Sequence, residues 1–156
     1  MRNMKSKSRK TGIRLAELHD LDGLVVLYRE LRPHDPVLSP AQTRRALKRV
    51  LATENSRLVV AEVGGVLAAT CQLGVVPTLA VGGRPFCIIE HVVTAANFRR
   101  LGLGRAVLEF ALKQAWKQGC YKVMLLSGVQ RKGAHKLYRA VGFRDGIERA
   151  FVAKPT

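Results

Sequence analysis

Leu21, Leu24, Val25, Tyr28 and Leu31 recur at three- and four-residue steps within "HDLDGLVVLYRELR", the spacing of one helix face. "PHDPVLSP" breaks that helix with three prolines, and Ser39-Pro40 opens a second helix running to about Thr53. "GIRLAE" before the first helix reads as a short strand. "SRLVVAEVGGVLAATCQLGVVP" reads as two apolar strands joined at Gly64-Gly65, a hairpin signal. After "VGG" at 81–83, "RPFCIIEHVVT" gives another strand. A helix follows from about Gly102 to about Gln118. Val107, Leu108, Phe110, Ala111, Leu112 and Ala115 form its apolar face, and Arg105, Glu109, Lys113 and Lys117 its exposed one. "CYKVMLLS" is a buried strand, "RKGAHKLYRAVG" a last helix ending at Gly142, and "RAFVAK" a closing strand.

The predicted order is β-α-α-β-β-β-α-β-α-β. The early hairpin requires antiparallel pairing. The strand-helix-strand over 86–127 requires a parallel pair with a right-handed crossover. The fold class is therefore α/β in the mixed sense (α+β): one mixed, mostly antiparallel sheet with helices on both faces. At 156 residues this is one domain over 11–156, preceded by a basic tail over 1–10.

Composition narrows the function classes. No apolar run approaches the roughly 18 residues of a membrane span, so no membrane partner is expected. The N-terminal "MRNMKSKSRK" is basic, and no hydrophobic segment follows it, so it is not read as a secretory signal. Cys71, Cys87 and Cys120 are odd in number and lie in apolar contexts, which points to buried free thiols and a cytoplasmic protein. His19, His34, His91 and His135 show no metal-ligand spacing, so no metal is expected. The formal net charge is +16. Such a charge suits an anionic partner, either nucleic acid or a polyanionic cofactor. Residues 97–139 carry ten basic side chains against Glu109 alone.

The most informative stretch is "ANFRRLGLGRAVLEF", residues 95–109. A strand ends near Thr94, and a helix begins among glycines flanked by Arg99, Arg100 and Arg105. A helix start offers unpaired N–H groups and partial positive charge, and glycine lets a ligand approach the backbone closely. Together these features describe a phosphate cradle. No Walker loop is present. The Rossmann fingerprint also fails, because Val107 stands where its third glycine or alanine belongs.

What remains is Arg99-Arg100-Leu101-Gly102-Leu103-Gly104, an R-x-x-G-x-G sequence that follows a strand and opens a helix. It closely resembles the pyrophosphate loop of the GNAT superfamily of N-acetyltransferases. The resemblance continues through "IIEHVVTAANFRRLGLGRAVLEFALKQAWKQGCYKVMLLSG" and "AHKLYRAVGF", and covers about residues 11–154.

The resemblance implies acetyl-CoA as co-substrate and a primary amine as acceptor. It implies that the strand over Ile89–Thr94 bulges and splays from the strand at Val123–Ser127. Pantetheine would lie in that gap against the backbone at Val92 and Thr94, and residues 99–105 would hold the pyrophosphate. The Val92 or Val93 N–H would face the oxygen that gains negative charge. Tyr138 stands where the family often carries the tyrosine that protonates the leaving thiolate. It also lies on the helix's core stripe, where packing alone would explain it. Glu90 lies near the expected acceptor site, as the base, as a contact for a substrate cation, or as a solvent-facing residue. His91 ranks below it, because strand periodicity turns it to the other face unless a bulge intervenes. Asp35 lies in a loop where the family often binds acceptors. Many members carry an asparagine three residues before the alanine of the final helix; here that position is Arg131, which would reach a CoA phosphate or mark a lost contact.

The expected function is acetyl transfer by direct attack in a ternary complex, most readily to a small molecule, with protein acetylation left open. A homodimer is compatible with the sequence. The alternative is a basic nucleic-acid-binding protein that keeps this fold without catalysis. Its support is charge alone, since the aromatics form no stacking pattern on strands.

Overall fold

The structure, a computed structural model, describes residues 10–155. The basic tail, apart from Lys10, lies outside the described residues. Five strands form one sheet in the order β1-β2-β3-β4-β5: β1 Thr11–Leu15, β2 Ser56–Val63, β3 Val66–Val76, β4 Phe86–Thr94 and β5 Val123–Leu125. All neighbours are antiparallel except β4 and β5, which are parallel. The helices are α1 Leu21–Leu31, α2 Pro40–Ala52, α3 Leu103–Lys117 and α4 Lys132–Val141.

Period-two alternation along β2 divides the core. Val59, Ala61 and Val63 join Val107, Leu108 and Ala111 of α3 on one face of the sheet. Leu58 and Val60 pack with Leu24 of α1 and Leu47 of α2 on the other. Both faces are covered, so this strand reads as a continuous apolar run. Helix α2 starts where expected: the Ser39 hydroxyl accepts from the Gln42 N–H at 3.3 Å, and the Gln42 side chain accepts from the Ser39 N–H at 2.9 Å. The hairpin turns at Gly64-Gly65, both with positive φ. All three cysteines are free and buried. Burial pushes the Cys71 thiol up to about 12 and the Cys87 thiol up to about 11, so neither is a ready nucleophile.

Two expectations are corrected. "RAFVAK" forms no strand, and Phe151 and Val152 are exposed. Its alternation gives strand propensity, but a strand also needs a ladder partner, and this segment has none among the described residues. The strand expected over 120–127 shrinks to Val123–Leu125. It pairs with β4 only through Cys87, Ile88 and Ile89, because β4 becomes irregular just beyond. The "VGG" before β4 is a tight turn, and the strand proper begins at Phe86.

A buried carboxylate fixes the start of α1. Asp20 is almost fully buried. It receives two bonds from the Arg14 guanidinium of β1, at 2.7 and 2.9 Å, and one from the Glu17 N–H at 2.8 Å. The same guanidinium reaches Glu62 of β2 at 2.8 Å. Burial alone would raise the Asp20 carboxyl, but the Arg14 and Glu17 hydrogen bonds and the Arg14 charge outweigh it, and the net shift is downward.

Removing the carboxylate in Asp20→Ala leaves Arg14 half-satisfied and the Glu17 N–H unpaired. Its expected cost is about 1.5–3 kcal/mol, the range for hydrogen bonds to charged groups, read by urea unfolding. A group whose folded pKa is depressed stabilises above its unfolded pKa, and that stability is lost as pH falls through the folded value. The melting temperature of the native protein should therefore fall more steeply below about pH 4 than that of Asp20→Asn.

Candidate active site

The regular pairing of β3 with β4 breaks once. Thr70 faces Val93 and Gln72 faces Glu90, so Cys71 alone opposes both His91 and Val92. This is a β-bulge, and His91 takes φ +54 to make it. The extra residue resets the alternation. Cys87 and Ile89 face the α3 side before the bulge, and Val92 returns to that side after it. His91 instead packs edge-on against Tyr28 of α1, ring centroids 5.8 Å apart. Strand period alone would have put His91 on the opposite face from Glu90; the bulge brings both to one cavity.

The bulge also separates β4 from β5. Their parallel register stops at Ile89↔Leu125, so the β5-facing backbone edge of β4 beyond Ile89 has no strand partner. A cavity of about 220 Å³ opens at that fork. Glu90, His91 and Val92 line it from β4, Leu125–Gly128 from β5 and its exit, Arg131 and Tyr138 from α4, and Leu31 and Arg32 from the end of α1. Glu90, Val92, Arg131 and Tyr138, far apart in sequence, thus share one wall.

Tyr138 is 7% exposed and meets Phe143 edge-on at 6.2 Å. It therefore packs and also faces the cavity. Burial raises its phenol above the ordinary value, opposed by the charge of Arg131 and by the Ser127 hydroxyl. Tyr138 therefore keeps its proton at neutral pH. Beside it, Ser127 Oγ is buried; it lies near enough to the Tyr138 hydroxyl to affect that phenol but makes no well-formed hydrogen bond among the described residues. A polar atom so placed next to a cavity is satisfied most simply by a bound group.

The glycine loop adjoins this fork. Gly102 is the N-cap of α3, with φ +76 and open space where a side chain would stand. Among the described residues no side chain caps the helix. Its first internal bond runs from the Ala106 N–H to the Gly102 carbonyl, so the N–H groups of Leu103, Gly104 and Arg105 precede the ladder. Gly104 serves a different purpose. A Cβ there would stand 3.1 Å from both Leu137 of α4 and the Thr94 hydroxyl, so glycine lets α3 pack against β4 and α4.

The flanking arginines part company. Arg99 turns to α1, bonding Glu30 at 3.1 Å and the Thr94 carbonyl at 3.3 Å. Glu30 also accepts from the Ala96 N–H at 2.7 Å, so it ties the loop to α1. Arg105 pairs with Glu109 along the helix at 2.7 Å. Arg100 has no ion-pair partner among the described residues and sits at φ +65. Leu101 is exposed and Leu103 buried. Asp35 lies outside the cavity lining and holds Arg32 at 2.6 Å.

Sequence reading missed Ser127, Arg32 and Glu30. Ser127 had a signal, since it follows a parallel strand's C-terminal end, where α/β sheets place ligands. Arg32 and Glu30 had none, because their relevance depends on how α1 lies across the sheet. Among the described residues no group of three His, Cys, Asp or Glu side chains is placed to hold a metal ion.

Comparison with known proteins agrees with this geometry. The model of the Acetyltransferase (GNAT) family matches residues 24–143. A solved structure from Agrobacterium tumefaciens str. C58, assigned as an acetyltransferase, superposes with a TM-score of 0.88 at 35% identity, covering 92% of this chain and 99% of that one. Glucosamine 6-phosphate N-acetyltransferase of Trypanosoma brucei brucei is 27% identical over 132 residues, 85% of this chain and 88% of that protein. The uncharacterized N-acetyltransferase YhdJ of Bacillus subtilis (strain 168) is 36% identical over 83 residues, 53% of this chain. The chain spans only 57% of that relative's length. With a match over most of its length and the splayed strands and glycine-opened helix in place, this chain belongs to the GNAT family of acetyltransferases.

Proposed function

We propose that the protein transfers an acetyl group from acetyl-CoA to a primary amine of a small molecule, by direct attack in a ternary complex. One observation carries the reading: a carboxylate and a protonated phenol line one cavity at the fork of β4 and β5, next to an uncapped helix N-terminus. The residues suit this co-substrate on four counts. The α3 N-terminus and Arg100 offer N–H groups and charge to a pyrophosphate. The unpaired edge of β4 at Val92–Thr94 offers amide groups to an extended pantetheine arm. Ser127 Oγ awaits a polar partner. Arg131, the N-cap residue of α4, adds positive charge at the same mouth. The relative acting on glucosamine 6-phosphate supports a small amine as acceptor.

Bound acetyl-CoA supplies an activated acyl carbon. The chain's residues do the rest. Glu90 takes the proton of the incoming ammonium, directly or through water, since an alkyl amine near pKa 10.4 is almost wholly protonated at neutral pH. The Val92 or Val93 N–H donates to the oxygen on which negative charge develops. Tyr138 offers its proton to the departing sulfur. A phenol above 10 is a weaker acid than a thiol near 8.5, so full transfer is uphill. Tyr138 therefore contributes most as a hydrogen bond that strengthens in the transition state. A panel of small amines, assayed for thiol release from acetyl-CoA, tests the activity directly; no release with any amine would reject it.

Three substitutions test the roles. Gly102→Val should fold, because the space at Gly102 is open, but lose acetyl-CoA affinity by at least about tenfold in calorimetry, since the side chain enters the phosphate approach and strains a positive φ. Glu90→Gln should lower the rate at pH 7 and recover as pH rises toward the amine's own pKa; a constant offset at every pH would make Glu90 a positioning residue. Tyr138→Phe should lower kcat by roughly 10–10³-fold with little change in acetyl-CoA binding, and the loss should shrink with a donor whose thiol is more acidic.

A further inference from the structure

Two opposite charges line the cavity without meeting. Glu90 enters from β4 and Arg32 from the end of α1. The Arg32 guanidinium is held above its ordinary value first by the Asp35 hydrogen bond and charge, and further by the charge of Glu90. Yet the ion pair that Arg32 makes is with Asp35, through Nε alone. Among the described residues, Nη1 and Nη2 of Arg32 have no partner, and neither has the Glu90 carboxylate.

This arrangement is specific chemically. An arginine held at Nε keeps its plane fixed and presents its two terminal nitrogens as a fork, the geometry that matches a carboxylate or a phosphate. An unpaired carboxylate in the same cavity matches an ammonium. With Arg131 given to the co-substrate, the lining leaves one guanidinium, Arg32, and one carboxylate, Glu90, for the acceptor. A molecule bearing both charges satisfies both groups.

Resting on the acetyl-transfer reading above, we propose that the acceptor is an amine that also bears an anionic group, a carboxylate or a phosphate, with its amine at Glu90 and its anion on the Arg32 fork. Arg32 then determines specificity. Asp35 is a positioning residue that acts through Arg32.

Matched pairs test this: ethanolamine against O-phosphoethanolamine, glucosamine against glucosamine 6-phosphate, and phenethylamine against phenylalanine. At least one anionic member should show a kcat/KM at least tenfold above its neutral partner, and the pair that does so distinguishes phosphate from carboxylate. Arg32 is more than half exposed, so its variants should fold. Arg32→Gln should erase the preference by raising KM for the anionic member at least tenfold more than for the neutral one. Arg32→Lys should restore only part of it, because charge returns without the fork. Asp35→Asn should weaken the preference by loosening the guanidinium. Equal kcat/KM within every pair, or a preference that survives Arg32→Gln, would overturn the proposal. If no amine is acetylated, the transfer reading fails, and calorimetry of the same pairs on CoA-saturated protein decides the acceptor proposal. Tighter binding of an anionic member that depends on Arg32 supports it, and equal or absent binding of both members overturns it.

Discussion

One extra residue in β4 sets up the site. Because His91 and Val92 share a single partner in β3, the strand bends, its alternation shifts by one, and its pairing with β5 ends at Ile89. Three consequences follow. The two parallel strands diverge and leave a fork. Backbone amides on the fork side of β4 lose a neighbouring strand. Glu90 and His91 come to the same cavity, while Val92 returns to the core. A regular strand would have continued the ladder and closed the gap with side chains. The cost is carried locally, in a histidine at positive φ that packs against Tyr28.

Charge in this molecule is organised by what each arginine has already bonded. Arg14 is committed to Asp20 and Glu62, and Arg99 to Glu30 and the Thr94 carbonyl. Both fix geometry between elements. Arg100 and Arg131 carry no ion pair among the described residues, and Arg32 and Arg105 give up only their Nε. The net charge of +16 thus says less about binding than this division does. Long-range attraction of an anion comes from the whole surface, but contact comes from the few donors still open. Glu30 shows the reverse role. A single carboxylate accepts from Arg99 and from the Ala96 N–H, so α1 is fastened to the loop that opens α3.

Local signals were enough wherever an element is decided by its own residues. The Ser39-Pro40 start of α2, the Gly64-Gly65 turn, the apolar run of β2 and the glycines at the mouth of α3 all act within a few positions, and each stands where the sequence places it. The mixed sheet with its parallel pair followed from the order of the elements along the chain, and the family and the splay of that pair from the resemblance carried by the stretch around Arg99–Gly104. Local pattern failed where a partner was needed. "RAFVAK" alternates like a strand but finds no ladder, and β5 is cut to three residues because β4 turns away from it. Nor could local pattern show that Arg99 bonds Glu30, which lies 69 residues earlier, or that Asp35 holds Arg32. The sequence by itself therefore determined which backbone segments form and which chemical groups are available, because capping, turn geometry and alternation are short-range. Only the tertiary structure decided which charges are spent on one another and which face the cavity, because ion pairing depends on distances between elements that no local spacing encodes.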